Sequence, residues 1–337
     1  MTQVDLNFEA YIQERKGAEK GRGHGGAAYS YAGDQKVLQA LGKITPVKLA
    51  AEAAVRLWKN VARSQILGSA VKVTEKQFSE IHQTTVDCAR RLQIPVPTVY
   101  IAPEVGALNA HTFGTTDDAY IILNGVLVDH LDADELRFVI GHECGHIHNE
   151  HVVYTTSLYY LLYSANVFLR WIVQPAILAL QSWSRRAEIS CDRAGLLCCQ
   201  DRDTANAALI KLALGSKKLA QEIDVSEYLK QLDESQQGAG KLLELFQSHP
   251  YLPKRVAALE LFAQTHYFLQ ASGKLETASS ESLEWCDARV GRILSIFGKA
   301  HKASKEADQA EAAKGDAETS KDDAEGSEDG TAKTEEG

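Results

Sequence analysis

The chain has 337 residues, 45% of them hydrophobic, which suffices for a sizeable core in one or two domains. The formal net charge of −9 is concentrated at the end: from residue 301 onward, 5 lysines face 12 acidic residues, a balance of −7. The nearly neutral remainder excludes the basic surface of a nucleic-acid-binding protein. Six cysteines without a C-x-x-C pair exclude a disulfide scaffold and favour reduced thiols in a cytoplasmic setting.

Residues 1–40 are interpreted as a flexible N-terminal segment. The first residues lack the basic and apolar regions of a signal peptide, and the Gly-rich stretch 21–33 lacks the G-K-[ST] ending of a phosphate-binding loop. A flexible linker is therefore predicted there. Residues 46–67 then show the spacing of an amphipathic helix, which either packs on the core, the more common arrangement, or lies on a membrane surface.

A small β-sheet is predicted in the next part of the chain. A helix near residues 75–92 ends before the proline-containing stretch 94–97. Residues 98–102 and 119–123 have the composition of strands, and residues 107–114 between them are predicted to form a third, short strand. This sheet precedes the most informative motif of the sequence.

Residues 138–148 contain the motif H-E-x-x-H. Because residues four apart lie on one face of an α-helix, His142 and His146 point to a single spot, which is typical of two zinc ligands. Glu143 lies beside that spot, where a carboxylate can take a proton from water and later pass it to a leaving amine. The alternative is a solvated helix that carries two histidines by chance.

The sequence around the motif supports a helix. Asp132 and Glu135 predict a capping box at its start. Gly141 and Gly145 each cost a helix about 1 kcal/mol, which is acceptable where a second backbone approaches closely, and the preceding sheet is the predicted neighbour. Cys144 is turned away from His142 and is interpreted as a packed core thiol.

Residues 152–183 are apolar and carry one charge, Arg170. The charge-free run 152–169 has 18 residues, near the lower limit for a membrane span. If a later residue completes the metal site, both ends of this stretch lie on one side of any membrane, and two crossings would each be too short. A helical hairpin is therefore predicted, packed on the domain or in peripheral contact with a membrane, and no transmembrane span.

The residues that follow the motif on the same helix do not supply a third ligand. A hydrolytic zinc site usually has three protein ligands and one open position. The metzincin pattern is excluded, because Asn149 and Val152 stand where it requires glycine and histidine. Glu150 lies one turn beyond His146, and one straight helix cannot easily wrap three ligands around an ion.

Glu188 is the candidate third ligand, on a second predicted helix over residues 184–195. Asp192 lies four residues further on the same face, where it can hold a ligand imidazole by its distal N–H group. The alternative is that Glu188 is a surface carboxylate beside Arg185 or Arg186.

Four sequence blocks together resemble a known family. The blocks are a short Asn-Ala strand, H-E-x-G-H, S-R-x-x-E-x-x-x-D over residues 184–192, and S-H-P over residues 248–250 followed by Arg255. Over about residues 75–261 their order and spacing are similar to those of the HtpX-like and CAAX prenyl protease family of zinc metallopeptidases. The resemblance implies a gluzincin fold, one zinc ion per chain and endopeptidase activity, commonly at membranes. The residues it implies are the metal ligands His142, His146 and Glu188, the general base Glu143, and His249 and Arg255 close to the zinc.

Placed near the zinc, His249 becomes a candidate donor to the oxyanion of the tetrahedral intermediate. Arg255 would then orient His249, or hold Asp192 or the substrate backbone. The alternative is that His249 caps or packs and Arg255 pairs with a surface acid.

The substrate is expected to be an unfolded or extended protein segment that adds along the strand at Asn109, Ala110 and His111. His111 stands where the family usually has an apolar residue, so a different pocket specificity is expected. The hairpin is also shorter and more polar than the membrane spans of the embedded family members.

The sequence thus predicts an α+β, predominantly helical, zincin-like metalloendopeptidase, cytoplasmic or membrane-associated. Residues 41–300 form the predicted peptidase domain, and residues 301–337 a disordered acidic tail, because that tail has no apolar residue larger than alanine. The alternatives are an inactive, zinc-stabilised scaffold whose tail recruits partners, and a closed structural zinc site. An intact Glu143 argues against the scaffold, and the lack of a cysteine at ligand spacing argues against the closed site.

Overall fold

The computed structural model describes residues 27–45, 68–103, 109–114, 118–164, 167–235, 249–274 and 280–295, with the single positions 47, 49, 51, 53, 64 and 247. The predicted amphipathic helix 46–67 lies largely outside the described residues. Val47 and Ala51, within it, are fully buried. The predicted acidic tail 301–337 lies wholly outside them.

The described strands form one mixed sheet with the order β1-β2-β4-β3. The two central strands, β2 and β4, are parallel, and the outer strands pair with them antiparallel. The predicted strands are confirmed, and the short β1 joins them. The edge strand β3 begins at Ala110, which lies opposite Leu123 of β4. The strand bounds are β1 Val71–Lys72, β2 Thr98–Ala102, β3 Ala110–Gly114 and β4 Ala119–Asn124.

Helices dominate the remaining described residues, and α2 begins four residues later than predicted. The helices before the apolar hairpin are α1 Ala32–Leu41, α2 Ser79–Leu92, α3 Gly125–His130 and α4 Ala133–His148. The hairpin and its sequel comprise α5 Val152–Ser164, α6 Val167–Cys199, α7 Arg202–Leu214, α8 Lys217–Ala220 and α9 Val225–Ser235. The last described helices are α10 Leu252–Ala263, α11 His266–Ala271 and α12 Leu283–Leu294.

The two glycines of α4 face α6, which corrects the prediction that the sheet packs against them. A Cβ placed on Gly141 would lie 2.6 Å from the Cβ of Cys198, and one on Gly145 would lie 3.0 Å from the Cα of Cys191. Gly195 of α6 is as tightly placed, because its Cβ would lie 2.7 Å from the carbonyl oxygen of Phe138. The close approach is therefore real, but it joins two helix backbones, since only a residue without a side chain fits there.

The apolar stretch forms two packed helices, α5 and α6. The second predicted arm and the predicted helix 184–195 are one continuous helix, α6, with Pro175 in its interior. This continuity connects the hairpin directly to Glu188. None of the helices in the described parts of the chain combines the length and the apolar character that a membrane crossing needs.

Residues 27–40 differ from the flexible segment predicted for residues 1–40. Tyr29 and Tyr31 are buried, and α1 follows them directly. The backbone N–H of Tyr31 donates to Ser190 Oγ at 3.1 Å, and that of Ala27 donates to Asn149 Oδ1 at 3.1 Å. Glycine content indicated flexibility, but the buried tyrosines and these hydrogen bonds attach the segment to α4 and α6.

Candidate metal centre

The start of α4 is set by the predicted capping box, which the structure confirms. Asp132 accepts hydrogen bonds from the backbone N–H groups of Asp134 and Glu135, and Glu135 accepts one from the backbone of Asp132 at 2.9 Å. The buried Lys211 of α7 pairs with the same Glu135 carboxylate. This anchored start fixes the rotation of α4 and so the direction in which its two motif histidines point.

His142 and His146 converge with Glu188 across the α4–α6 contact. The two imidazole rings are 5.2 Å apart between centroids, and each Nε2 atom lies 3.6 Å from an oxygen of the Glu188 carboxylate. Two ligands of a tetrahedral zinc ion with bonds near 2.1 Å are separated by about 3.4 Å. Both separations between a histidine and Glu188 are therefore close to those of two ligands on one zinc ion, and all three residues are buried.

Asp192 and Arg255 support this group from behind. Asp192 Oδ1 lies 2.9 Å from His142 Nδ1, which leaves His142 Nε2 directed at the candidate metal position. Arg255 donates from Nε and Nη2 to the two oxygens of Asp192 at 2.8 and 2.6 Å, and its Nη1 lies 3.2 Å from Glu188 Oε2. Of the roles considered for Arg255, holding Asp192 is the one that the geometry supports.

A cysteine also lies at ligand distance, which corrects the sequence-based statement that none does. One ligand atom each of His142, His146 and Cys191 lie within 4.8 Å of one another. Cys191 follows Glu188 by three residues on α6, so the two side chains leave the helix on the same face. Cys191 is far from the H-E-x-x-H motif in sequence, so its proximity to His142 and His146 becomes apparent only from the packing of α6 on α4.

The electrostatics differ between these two possible third ligands. Burial by itself raises the pKa of Glu188, but His249, Arg255 and His146 outweigh it and hold that pKa well below the usual range. Burial raises the pKa of the Cys191 thiol well above its usual value, and neighbouring carboxylates such as Glu188 add to the increase. In the metal-free chain the carboxylate is therefore charged, whereas the thiol would have to lose its proton on binding a metal ion.

Two further pKa shifts belong to the same network. For Asp192, burial raises the pKa, but Arg255 and His142 lower it by a larger amount, so that the net shift is downward. For His146, burial lowers the pKa, but hydrogen bonding to Glu188 and the charge of Glu143 raise it above the usual value. A cluster of acidic groups around an imidazole favours a bound positive charge, whether a proton or a metal ion.

Glu143 is buried and has a partner that sequence reasoning missed. Thr112 of β3 donates from Oγ1 to Glu143 Oε2 at 2.6 Å. Ala110, Thr112 and Gly114 form the buried face of β3, so strand alternation directs Thr112 at α4. The sequence indicates which residues of β3 share a face, but it does not indicate that this face packs on α4.

The residues predicted to contact substrate differ in their burial and in their contacts. His249 is close to the metal centre, with Nδ1 at 3.0 Å from Glu188 Oε2, and its side chain is 57% exposed. Asn109 precedes β3, and its carbonyl oxygen accepts from the backbone N–H of Asn124 at 3.1 Å. Ala110 and His111 are on opposite faces of β3, because Ala110 is buried and His111 is half-exposed.

Glu150 takes no part in the group. It is exposed and follows the end of α4, where its backbone adopts a left-handed conformation with φ of 61°. The helix therefore stops before it, and Glu188 is the described glutamate that approaches both motif histidines.

Known proteins resemble this chain over the part that contains α4 and α6. The model of peptidase family M48 matches residues 75–263. The chain is 32% identical over 169 residues to the plastoglobule-localized metallopeptidase 48 of Arabidopsis thaliana, an alignment that covers 49% of each chain. It is 37% identical over 106 residues to a protease HtpX homolog of Methanothermobacter thermautotrophicus, with 29% of this chain and 40% of that protein covered.

A protease HtpX homolog of Bifidobacterium longum is 28% identical over 223 residues, covering 56% of this chain and 72% of its own. The chain thus spans about half of the plant relative and less of the Methanothermobacter one. No solved structure matches it. The family match covers more than half of the chain and includes both helices of the metal centre as well as Arg255. The chain therefore belongs to peptidase family M48, in agreement with its resemblance to HtpX-like peptidases.

Proposed function

We propose that this protein is a zinc-dependent metalloendopeptidase that hydrolyses peptide bonds in protein substrates. The observation that carries the proposal is the convergence of His142, His146 and Glu188 beside the buried carboxylate of Glu143. Asp192 holds a ligand imidazole, but the hydrogen bonds of the Glu143 carboxylate among the described residues go to Thr112 and to no metal-ligand candidate. Hydrolysis requires a base in the place that Glu143 occupies. The protease names of the relatives support the same reading.

Glu143 is proposed as the general base and Thr112 as the residue that positions it. When bound, Zn²⁺ acts as a Lewis acid toward a peptide carbonyl and makes water more acidic. The hydroxyl of Thr112 occupies Oε2 of Glu143 at 2.6 Å, which leaves Oε1 to take the proton of the attacking water. The same carboxyl group then gives that proton to the amine of the leaving peptide.

His249 is proposed to donate a hydrogen bond to the oxyanion that develops on the attacked carbonyl. Its imidazole is exposed toward solvent and lies 3.0 Å from Glu188, at the mouth of the site. Arg255 holds Asp192 and Glu188 in place, so it acts through the metal ligands. A donor at the oxyanion position contributes more in the transition state than in the ground state, because the charge develops there.

An extended substrate is proposed to add to the outer edge of β3. The carbonyl of Asn109 bonds to β4, so in an antiparallel ladder the alternate residues Ala110, Thr112 and Gly114 direct their backbone groups outward. Gly114 is already occupied, because its N–H donates to Thr156 Oγ1 of α5 at 3.2 Å. The backbone N–H of Ala110 donates to Asn109 Oδ1 at 3.0 Å, so the proposed edge consists of the carbonyl of Ala110 and the backbone groups of Thr112, directly beside the base.

Glu188 is proposed as the third ligand, in the zincin-like arrangement in which the ligands come from two helices. Cys191 supports a second candidate, in which its thiolate takes the place of Glu188 beside the two histidines, because its sulfur lies at ligand distance. The charged carboxylate favours Glu188, and the high thiol pKa disfavours Cys191.

The test uses the full chain, purified without added metal and analysed for zinc by mass spectrometry. We expect about one zinc ion per chain, and cleavage of casein or of a peptide library that a chelator abolishes and zinc restores. The matched control is Glu143→Gln, which should retain the zinc and lose about 10²–10⁴ of the hydrolytic rate. Zinc without any cleavage by the unmodified protein would favour the scaffold or the closed structural site instead.

A further inference from the structure

We infer that His151 and Asp34 are positioning residues of the metal centre, which orient the ligand His146 from behind through a chain of contacts. The inference rests on the proposed zinc site, because it needs Nε2 of His146 to face the metal. It extends the site to α1, which lies outside the residues that match the family model.

His151 is fully buried and touches His146 directly. The Nδ1 atoms of the two rings lie 3.3 Å apart, and the ring centroids are 5.3 Å apart. The other nitrogen of His151, Nε2, lies 3.0 Å from Asp34 Oδ2. This Nε2 has no well-aligned hydrogen bond among the described residues. The nearby carboxylate of Asp34 therefore offsets the cost of burying this polar nitrogen. Trp183 packs edge-on against the ring at 5.2 Å and restricts its rotation.

The position of the proton on His146 determines the position of the proton on His151. An imidazole that binds metal through Nε2 carries its proton on Nδ1, and that proton needs an acceptor. The nearest ring nitrogen is Nδ1 of His151, which must then be without a proton and carry its own proton on Nε2, toward Asp34. The thiol of Cys191 also reaches His151 Nδ1, at 3.5 Å, so it is a second, weaker donor to the same atom.

Asp34 is built into the protein as an anchor. It is buried, accepts from Trp183 Nε1 at 2.8 Å and from Ser190 Oγ at 2.6 Å, and faces His151 with the same carboxyl oxygen that Ser190 binds. Burial alone raises its pKa, but His151, Ser190 and Trp183 outweigh it, and the net shift is downward. A buried carboxylate with two hydrogen-bond donors and a ring nitrogen at 3.0 Å is strongly fixed in place.

The two motif histidines thus receive the same support by different routes. His142 meets the carboxylate of Asp192 directly, whereas His146 meets the carboxylate of Asp34 through the ring of His151. A metal-binding histidine that donates its second N–H group to a carboxylate is held in one tautomer and one orientation. The imidazole of His151 bridges the longer distance between His146 and the carboxylate of Asp34.

A purely structural role for Asp34 is the competing explanation, and Asp287 provides the control for it. Asp287 also holds α1, since Oδ2 accepts from the backbone N–H of Ala32 at 3.0 Å and Oδ1 accepts from Arg193. Its hydrogen bonds among the described residues involve neither His146, His151 nor Asp34. Asp287→Asn therefore loosens the attachment of α1 without touching the proposed support of the metal ligand.

The experiment compares full-length His151→Phe, Asp34→Asn and Asp287→Asn with the unmodified chain. Zinc affinity is measured by competition with a chromogenic chelator, and the absorption spectrum is recorded with Co²⁺ in place of zinc. We expect zinc affinity to fall about 10- to 100-fold in His151→Phe and about tenfold in Asp34→Asn, with a changed Co²⁺ spectrum in both. Asp287→Asn should keep the affinity and the spectrum, even where its melting temperature falls as far as that of Asp34→Asn.

Wild-type affinity in Asp34→Asn and His151→Phe would overturn the inference, and so would an equal loss in Asp287→Asn. If the unmodified chain binds no zinc, the proposed function itself fails, which separates the two outcomes. Nuclear magnetic resonance of the zinc-loaded, unmodified chain with ¹⁵N-labelled histidine needs no variant to fold. It should show His146 protonated at Nδ1 and His151 protonated at Nε2, and the opposite tautomer of His151 would overturn the inference.

Discussion

The two sides of the metal centre differ in how firmly folding fixes them. On the α4–α6 side, His142, His146 and Glu188 are buried, and the glycine contacts between the helices leave no space for movement. On the other side, β3 is an edge strand, and the His249 side chain is 57% exposed. Folding therefore builds the ligand geometry, whereas the edge of β3 and His249, which are proposed to meet substrate, stay accessible to it. Substitutions on the two sides should therefore fail in different ways.

On the buried side, substitution of each possible third ligand shows which of them holds the metal. Glu188→Ala should remove or greatly weaken zinc binding and abolish hydrolysis, because it deletes a charged ligand. Cys191→Ala and Glu150→Ala should retain about one zinc ion per chain. Metal content by mass spectrometry and casein cleavage measure these outcomes. Loss of zinc in Cys191→Ala with retention in Glu188→Ala would show that the thiol is the ligand.

Substitution of His249 on the exposed side should lower the rate of hydrolysis without loss of zinc. His249→Ala is expected to keep zinc and the folded structure and to lower kcat about 10²–10³-fold, the usual loss for one oxyanion donor. Arg255→Ala, on the buried side, should impair both activity and thermal stability, because it leaves Asp192 and Glu188 without their cation. Cleavage by His249→Ala at the unmodified rate would contradict the comparison between the sides.

Thr112 lies between the two sides, and a smaller effect is expected there. Thr112→Val keeps the shape of the side chain but removes the donor to Glu143, so kcat should fall about tenfold or more while zinc content is unchanged. Thr112→Ser retains the hydroxyl and is expected to restore most of the rate. Equal rates for the valine and serine variants would rule out a positioning role.

The smallest effect is a pH dependence of the metal-free protein's stability. The lowered pKa values of Glu188 and Asp192 stabilise the fold above their unfolded pKa values of about 4 and lose this contribution as pH falls through the folded values. The raised pKa of His146 acts in the opposite sense: it stabilises below about pH 6.5, and this contribution is lost as pH rises through the folded value.

A stability maximum between about pH 5 and pH 6.5 is therefore expected for the metal-free chain in chelator-containing buffer. Thermal unfolding measured from pH 3 to pH 8 gives this curve. Glu188→Gln should flatten its acidic limb, because the variant has no carboxyl group to protonate there. An acidic limb that is equally steep in Glu188→Gln would show that other groups cause the loss.

The sequence alone determined the local features of this protein. The capping box at Asp132 and the helical spacing of His142 and His146 follow from hydrogen bonding and periodicity within a few residues. Family membership was also accessible, because its motifs are short and ordered along the chain. Glu188 was found as a ligand candidate by elimination and by the resemblance, not by any local signal.

Tertiary structure alone decided which distant residues complete the site. That α6, and not the sheet, packs on Gly141 and Gly145 depends on how two helix surfaces fit, and this fit also brings Cys191 to ligand distance. The contact of Thr112 with Glu143 spans 31 positions of sequence. The contact of Asp34 with His151 joins a stretch predicted to be flexible to the metal centre. Periodicity shows which face of an element is buried, but the partner that covers this face is selected by packing of the whole chain.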